Sequence, residues 1–448
     1  MTLLKRALLL GLLLLHAAAP PEALGQSRRT EIPSSFNPVG SGARALGMGG
    51  AFVAVADDAT AASWNPGALV QLELPEVSAV GAYTHRGEDL RFGFSPESDG
   101  PQRISQAGLN YLSFAYPLVL FHRNTVLSVN YQHLFDLNRR WVFDFEETGE
   151  ESLLFPTSGR VENDQDGGLY ALGLACGVQV LPELSLGLTL NLWEDFLYEN
   201  RWRKTHREAY RMPLSGSDIP ALVEEESSES FSFRGFNFNA GVLWRVTDKL
   251  TLGAVFKSPF TADLDYRGEA RFRTEYPFAG MEPSENVVLE REKQELDMPM
   301  SYGVGVAWRF SDAFTLSADF HRTHWQDFAH RDADGEETDP VSGLPVEEAD
   351  VSATHQARLG AEYLFIRRKH VVPVRGGAFY DPAPAKGSPD DYFGFSLGSG
   401  ISTNRFSLDF AYQYRFGRSV GGSVLESLDF SQDTDEHTFY TSFILYLF

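Results

Sequence analysis

The chain has one cysteine, Cys176, in 448 residues, so no disulfide can form within it. After the first 20 residues it has no apolar run of the length a membrane-spanning helix needs. It is also short of positive charge: 38 Lys and Arg against 61 Asp and Glu leave a net charge of −23, which argues against nucleic-acid binding. Metal-ligand spacing is missing. His321 and His324 face opposite sides of an extended segment, His330 lies beyond in a loop, and no His/Cys pattern suggests zinc. Asp332-Ala333-Asp334-Gly335 is half a calcium loop without the distal bidentate ligand. Gly47-Met48-Gly49-Gly50 falls short of a dinucleotide fingerprint, because Phe52 stands where a third glycine belongs and no strand precedes it. No catalytic constellation emerges, although a Ser-His-Asp triad is a matter of geometry that sequence does not settle. The expectation is a non-enzyme with no cofactor and no metal.

What the chain does have is alternation. Leu184, Leu186, Leu188, Leu190 and Leu192 are interleaved with Ser185, Gly187, Thr189 and Asn191. In a strand these two sets point to opposite faces. The pattern recurs in fourteen segments, about 74–85, 103–117, 124–146, 166–181, 183–199, 229–246, 249–273, 286–310, 313–329, 351–366, 370–381, 391–402, 404–416 and 436–448, with 139–146 a possible strand of its own. Short connections centre on Pro117-Leu118, Pro182, Thr247-Asp248, Ser311-Asp312, Arg367-Arg368 and Thr403. They alternate with long ones at 86–102, 147–165, 200–228, 274–285, 330–350, 382–390 and 417–435. An even strand count with alternating turn lengths predicts a fourteen-stranded antiparallel transmembrane β-barrel, lipid outside and polar lumen inside, with both mature ends in the periplasm. Trp244 and Trp308 fall where a periplasmic aromatic belt is expected. A soluble β-sandwich would need shorter strands and leaves the repeated apolar row unexplained.

Three regions follow. Residues 1–25 read as an export signal, with Lys5 and Arg6 before the apolar stretch Ala7 to Leu15 and small residues at Ala23-Leu24-Gly25 before Gln26. Residues 26–73 are Gly- and Ala-rich with no strand pattern, with Ser41 and Asp57/Asp58 as helix caps and Asn65-Pro66 as a stop, and are expected to form a partly helical plug inside the barrel. Residues 74–448 form the barrel and end on a strand closing in Phe448. This places the protein in the outer membrane of a Gram-negative bacterium, with the barrel-assembly machinery, membrane lipid and lipopolysaccharide as partners and a monomer as the expected state. The acidic runs Glu146 to Glu151, Glu224 to Glu229, Asp332 to Asp350 and Asp433 to Glu436 read as solvated loop surface, or more sharply as bridging through divalent cations to lipid headgroups.

Several stretches together resemble the FadL/TodX (OMPP1) family of outer-membrane transporters for hydrophobic compounds. The run Asn37 to Ala51 and its ending Ala62-Ser63-Trp64-Asn65-Pro66 are similar to the family's hatch; Gly47, Gly49, Gly50, Asn65 and Pro66 carry the likeness, with Gly67 where an Ala usually follows. Phe256-Lys257-Ser258-Pro259, Leu296-Asp297-Met298-Pro299, the block from Tyr302 through Trp325, and Val374 to Asp381 resemble further family motifs. The resemblance implies fourteen strands, a hatch, ligand capture by the third and fourth outer loops, and passive passage of long-chain fatty acids or aromatic hydrocarbons.

In the third loop the candidates for capture are Trp202, Tyr210, Met212, Leu214, Ile219 and Leu222; in the fourth they are Tyr276, Phe278 and Met281. The alternative is that these side chains pack on one another. Arg201, Arg203, Lys204 and Arg207 either attract an anionic head or pair with Glu224 to Glu226. Alternation makes Trp193, Trp325 and Phe379 lumenal, and apolar rings there favour an apolar ligand. Lys257, Arg358 and Arg375 also point inward, either toward an anionic headgroup or into bracing salt bridges with Asp319, Glu362 and Asp409. The competing functional class is a protein-interaction component of outer-membrane secretion, related to the type IX secretion barrels.

Overall fold

The computed structural model describes residues 40–147, 157–212, 220–277, 280–425 and 429–447. The export signal, Leu214, Ile219, Phe278 and Phe448 lie outside the described residues.

Among the described residues the chain forms the strands β1 (Glu76–Phe92), β2 (Gly100–Leu120), β3 (Arg123–Asp136), β4 (Arg139–Glu147) and β5 (Thr157–Leu181). Then come β6 (Leu184–Trp193), β7 (Arg201–Met212), β8 (Ala221–Arg245), β9 (Leu250–Lys257) and β10 (Phe260–Glu275). Next are β11 (Ser284–Met298), β12 (Ser301–Ser311), β13 (Phe314–Thr323), β14 (Ala329–Arg331) and β15 (Glu337–Thr338). The last are β16 (Thr354–Ile366), β17 (Val371–Tyr380), β18 (Tyr392–Ser402), β19 (Phe406–Val420) and β20 (Phe430–Tyr446).

Fourteen of these close a cylinder in the order β1-β2-β3-β5-β6-β8-β9-β12-β13-β16-β17-β18-β19-β20, every neighbour antiparallel. The ring shuts where β1 pairs with β20, from Glu76↔Tyr446 to Phe92↔Phe430. Closure satisfies the backbone groups that lipid cannot, and no sandwich remains in question. The remaining strands raise the wall on one side. β4 pairs with β5, β7 sits between β5 and β8, and β10 sits between β8 and β11.

Some boundaries differ from expectation, for identifiable reasons. The segments 249–273 and 286–310 are each two strands, because Pro259 and Pro299 lack the N–H a ladder needs and interrupt both at one level. The segment 124–146 breaks at Leu137-Asn138, and 183–199 stops at Trp193. The expected loop 200–228 is mostly strand, β7 and the first turn-side residues of β8; its charged alternation hid it, since a wall above the membrane needs no apolar face. The first tight turn is Phe121-His122, both with positive φ (48° and 61°), in place of Pro117-Leu118. Pro117 is tolerated inside β2 because the β1 ladder ends at Ala115, so its missing N–H breaks no bond on that side.

The faces sort as the alternation requires. Leu174, Leu186, Leu188, Val304, Trp244, Trp308, Phe410 and Phe443 are exposed on the outer surface, whereas Ser185, Thr189, Asn191, Ser407, Asp409 and Ser442 are buried inside.

Residues 40–72 touch strands on all sides of the ring, which places them within it. Ala43 N–H donates to Ser442 Oγ (2.7 Å), Gly49 N–H to Ser396 Oγ (2.8 Å), and Tyr111 O–H and Thr189 O–H donate to Ala59 O and Ala62 O. The segment contains helices α1 (Ala43–Gly47) and α2 (Ala61–Trp64) and a 3-10 turn Pro66–Gln71, with Pro66 at its first position and Asn65 Oδ1 accepting from Gly67 N–H. Gly49 and Gly50 have φ of 68° and 72°, which glycine adopts without strain. The wall receives the segment on two glycine tracks. A Cβ on Gly187 or Gly241 would strike the Asn65-Pro66-Gly67 turn, and one on Gly360 or Gly377 would strike Met48 or Gly49.

Candidate functional site

Above this segment the lumen is packed with rings. Trp202 stacks on Phe231 at 4.8 Å and 11°, and Phe233, Tyr266, Leu264 and Leu296 join the same buried cluster. At the lower edge of the cluster lies a cavity of about 80 Å³. Its roof is aromatic: Trp193 stacks on Phe260 (5.6 Å, 20°), Phe135 lies beside it, and Trp325 meets Phe328 edge-on. Its floor is polar, with Gln132, Asn191, Asn239, Lys257, His321 and Gln356. Gln132 Oε1, Asn191 Oδ1, Asn239 Oδ1 and His321 Nε2 are buried there without a hydrogen-bond partner among the described residues. Such atoms are costly in a dry site and favour a ligand head, or water, that can bond to them.

A second chamber of about 320 Å³ adjoins it, with Leu134 lining both. Its inner wall carries Arg358, Phe379, Asp381, Arg415 and Glu436, and its outer end carries Ala107, His133 and Tyr170. The last two stack on each other at 4.3 Å on the outward side of β3 and β5, so this chamber passes through the wall. The reason is a gap in the ladder. β2 and β3 pair only from Tyr111↔Gln132 to Leu120↔Arg123, while β2 above Tyr111 pairs with β1 alone. Side chains span the upper gap: Gln102 Nε2 donates to Val142 O (2.7 Å), Val142 N–H donates back to Gln102 Oε1 (3.1 Å), and Asn138 Nδ2 donates to Gln106 Oε1. Below them the opening has no backbone bridge.

A closed fourteen-stranded ring, a lumenal N-terminal segment on glycine tracks and a breach in one wall is the geometry against which relatives are compared. A family model for "Outer membrane protein transport protein (OMPP1/FadL/TodX)" matches residues 39–438. The chain belongs to this family. It is an outer-membrane β-barrel of the Gram-negative type and a transporter for hydrophobic compounds. Solved structures share the fold: a Pseudomonas aeruginosa FadL homologue (16% identity, TM-score 0.57, 92% of this chain and 99% of that one), the Pseudomonas putida toluene transporter TodX (14%, 0.54, 92% and 99%) and the CymD monoaromatic hydrocarbon channel (17%, 0.51, 92% and 99%). No curated protein sequence matches the chain. The family is one of transport proteins, and a secretion component is not favoured.

In this FadL/TodX-family barrel the structure brings Trp193, Trp325 and Lys257 together around the small cavity. Trp325 reaches it from a 3-10 turn (Trp325–Asp327) beyond β13, where a strand had been expected. Phe379 lines the neighbouring chamber under Arg358, 5.3 Å from ring centre to guanidinium carbon. Arg375 lies apart from both. It is fixed between Glu362 (2.6 Å) and Asp409, and Glu362 also holds Arg44 of the N-terminal segment (2.9 Å).

Among the described residues, the candidates for the outer groove do not lie together. Trp202 is 1% exposed inside the upper lumen, because β7 is wall and turns its even-numbered side chains inward. Tyr210 and Leu222 line a separate open hollow at the rim with Phe145 and Gly159. Met281 is exposed on the fourth loop, and Met212 ends β7. Of the loop cations, Arg207 pairs with Glu226 at 2.8 Å, the bracing role. The amide floor was missed as a set of site residues, although alternation had already placed Asn191 on the face opposite the leucine row. The ladder gap leaves no sequence signal of its own.

Proposed function

We propose that hydrophobic compounds diffuse passively through this barrel from the Trp193–Trp325 cavity to the chamber and leave sideways between β2 and β3. The observation that carries the reading is the chamber that joins lumenal residues to outward-facing His133 and Tyr170 where the ladder is absent. A route that ends in the wall delivers an apolar solute to lipid without crossing the packed lumen or the water beneath it. The aromatic roof suits an alkyl chain or ring, and the polar floor suits a head that can hydrogen-bond, so a fatty acid fits the cavity better than a bare hydrocarbon. Residues 26–73 act as the hatch, and Asn65, Pro66, Gly47, Gly49 and Gly50 seat it. Lys257 is the candidate partner for a head group in the first cavity.

The test closes the portal. Gln106→Cys and Asn138→Cys are introduced with Cys176→Ser and bridged with a short bis-maleimide. Bridging should abolish uptake of radiolabelled fatty acid by a transporter-deficient Gram-negative host, while labelling either cysteine alone leaves it intact. Uptake that survives bridging defeats the lateral route.

A further inference from the structure

On its outward face the raised wall carries cations without counter-ions, in a chain whose net charge is −23. Two rungs of the ladder run side by side across β7, β8, β10 and β11. One reads Arg203, Ser230, Arg267 and Arg291; the other, nearer the membrane, reads Arg201, Ser232, Asp265 and Lys293. These side chains point outward, because the residues that alternate with them, Trp202, Tyr266 and Gln294, are buried. Arg267, Arg291 and Lys293 are exposed, and among the described residues none of them forms an ion pair. The carboxylates in reach are engaged: Asp265 by Arg234, Glu269 by Arg271 at 3.4 Å, and Glu295 by Arg331. Arg267 and Arg291 stand directly opposite each other, and like charges in that position repel. From Ser284 to Gln294 β11 pairs with β10 alone, so charge on this edge also discourages strand addition. Edge protection does not call for two guanidiniums facing each other. A bound anion does, since it turns their repulsion into two charge-assisted contacts.

The height of the rungs names the anion. They cross β8 at Ser232 and Ser230, four and six residues beyond Phe236, where the exposed apolar row of that strand begins. That is about 13 and 20 Å along the strand. A tilt of about 35–45° reduces the climb to about 10–15 Å. A phospholipid headgroup adds only about 5–8 Å to the hydrocarbon on each face of a bilayer, which falls short. We propose that Arg267, Arg291 and Lys293 bind a phosphate group of lipopolysaccharide, whose saccharide headgroup lifts its phosphates above the phospholipid level. The contact fastens the raised wall to the outer leaflet. It lies on the outer surface, away from the Trp193 cavity and the chamber, and holds whichever way a solute leaves the barrel. It needs no divalent cation, unlike a contact made through the acidic runs.

The experiment titrates the purified full-length barrel in detergent with rough lipopolysaccharide and reads bound lipid by native mass spectrometry. EDTA is present, so the acidic runs cannot hold lipid through divalent cations. Wild type should bind the intact lipid about tenfold or more tightly than the same lipid stripped of phosphate by hydrofluoric acid. Arg267→Gln with Arg291→Gln and Lys293→Gln should weaken the intact lipid by about tenfold or more, as expected for losing charge-assisted contacts, and leave the stripped lipid unchanged. Arg271→Gln, which removes a cation already paired with Glu269, should leave binding as it is. Heat-modifiable electrophoretic mobility reports the folded barrel. If the triple variant does not fold, Arg291→Glu decides: it sets an acid opposite Arg267, which relieves the repulsion in the ladder, and should still abolish binding. Equal affinity of wild type and either variant overturns the site. So does displacement by millimolar inorganic phosphate at constant ionic strength, or equal binding of phosphatidylglycerol, since the partner is then a different anion. A triple variant that self-associates while its lipid binding stays intact assigns the cations to edge protection and overturns the site as well.

Discussion

The Asp319 carboxylate on β13 accepts the backbone N–H of Phe52 at 2.6 Å and, through the same oxygen, that of Val53 at 2.8 Å. One buried acid in the wall thus holds the Phe52-Val53 stretch of the N-terminal segment. Hydrogen bonds to a charged group contribute about 1.5–3 kcal/mol each. Asp319→Ala should therefore loosen the segment without opening the ladder. The expected result is a folded barrel with higher conductance in planar bilayers and faster proteolysis within residues 40–72. Asp319→Asn, which keeps one acceptor oxygen, should fall between.

Trp193 and Trp325 to Ala should remove the cavity roof. Each ring can bury ~150–250 Å² of ligand or neighbour surface. Uptake of fatty acid or aromatic compound by a transporter-deficient host should drop steeply, with assembly monitored by heat-modifiable mobility. Each truncation also costs about 3–5 kcal/mol of packing, but it acts in the upper lumen and not on the ring of paired strands. If the double variant assembles and transports normally, this cavity is not on the path.

Arg375→Ala should act on folding rather than on ligand choice. Removing the guanidinium strands Asp409 as a buried carboxylate and leaves Glu362 to Arg44 alone, a loss of about 3–5 kcal/mol. Folded yield should fall for the apo barrel, and the fraction that folds should not change its preference between dodecanoate and dodecanol. A selective loss of dodecanoate would instead make Arg375 a ligand contact.

Much of this architecture is legible in the amino-acid sequence. Rows such as Leu184 to Leu192 name their faces because a strand has period 2 and lipid and lumen differ in polarity. The same rule placed Trp193, Lys257 and Phe379 inside. It failed where side-chain polarity no longer tracks the membrane: β7, with exposed Arg201, Arg203 and Arg207, read as loop, and Trp202 was assigned with it to the third outer loop instead of the strand that buries it. The gap between β2 and β3 was invisible because it is made of hydrogen bonds that are absent, and Gly100 to Asn110 look like any other paired strand. Salt-bridge partners such as Arg375 with Asp409 depend on register across three strands, which alternation alone does not fix.

Asp390, in the outer connection between β17 and β18, accepts from Gly421 N–H at 2.7 Å and so clips that loop to the next one. Burial pushes its carboxyl up to about 6, above the unfolded value of 3.8. A raised acid favours the protonated folded form, so relief of the burial penalty should stabilise the folded loop as pH falls through about 6 toward 3.8, a gain lost as pH rises again, although the Gly421 bond itself favours the charged carboxylate. Limited proteolysis of the outer loops should slow between pH 7 and pH 5. Asp390→Asn, neutral throughout, should flatten this dependence; a wild-type profile in which cleavage speeds up on acidification contradicts it.

The glycine tracks give the sharpest test of how the N-terminal segment is seated. A Cβ at Gly187 would lie 2.1 Å from Pro66 C, and one at Gly241 would lie 2.2 Å from Asn65 Oδ1 and 2.8 Å from Gly67 N. These contacts are largely backbone on the side of the N-terminal segment, so the Asn65-Pro66-Gly67 turn must move as a body. That turn also carries the bond from Asn65 Nδ2 to Val242 O (2.9 Å), which the shift breaks. Gly187→Ala with Gly241→Ala should therefore lift the segment from β6 and β8 and raise permeability to small polar solutes, while the ladder, which alanine supports as well as glycine, stays paired. Gly81→Ala serves as the control: its Cβ meets only Gly108 O at 3.9 Å, so alanine there should be silent. Equal conductance in the double variant and the control means that residues 40–72 do not seal the lumen through this contact.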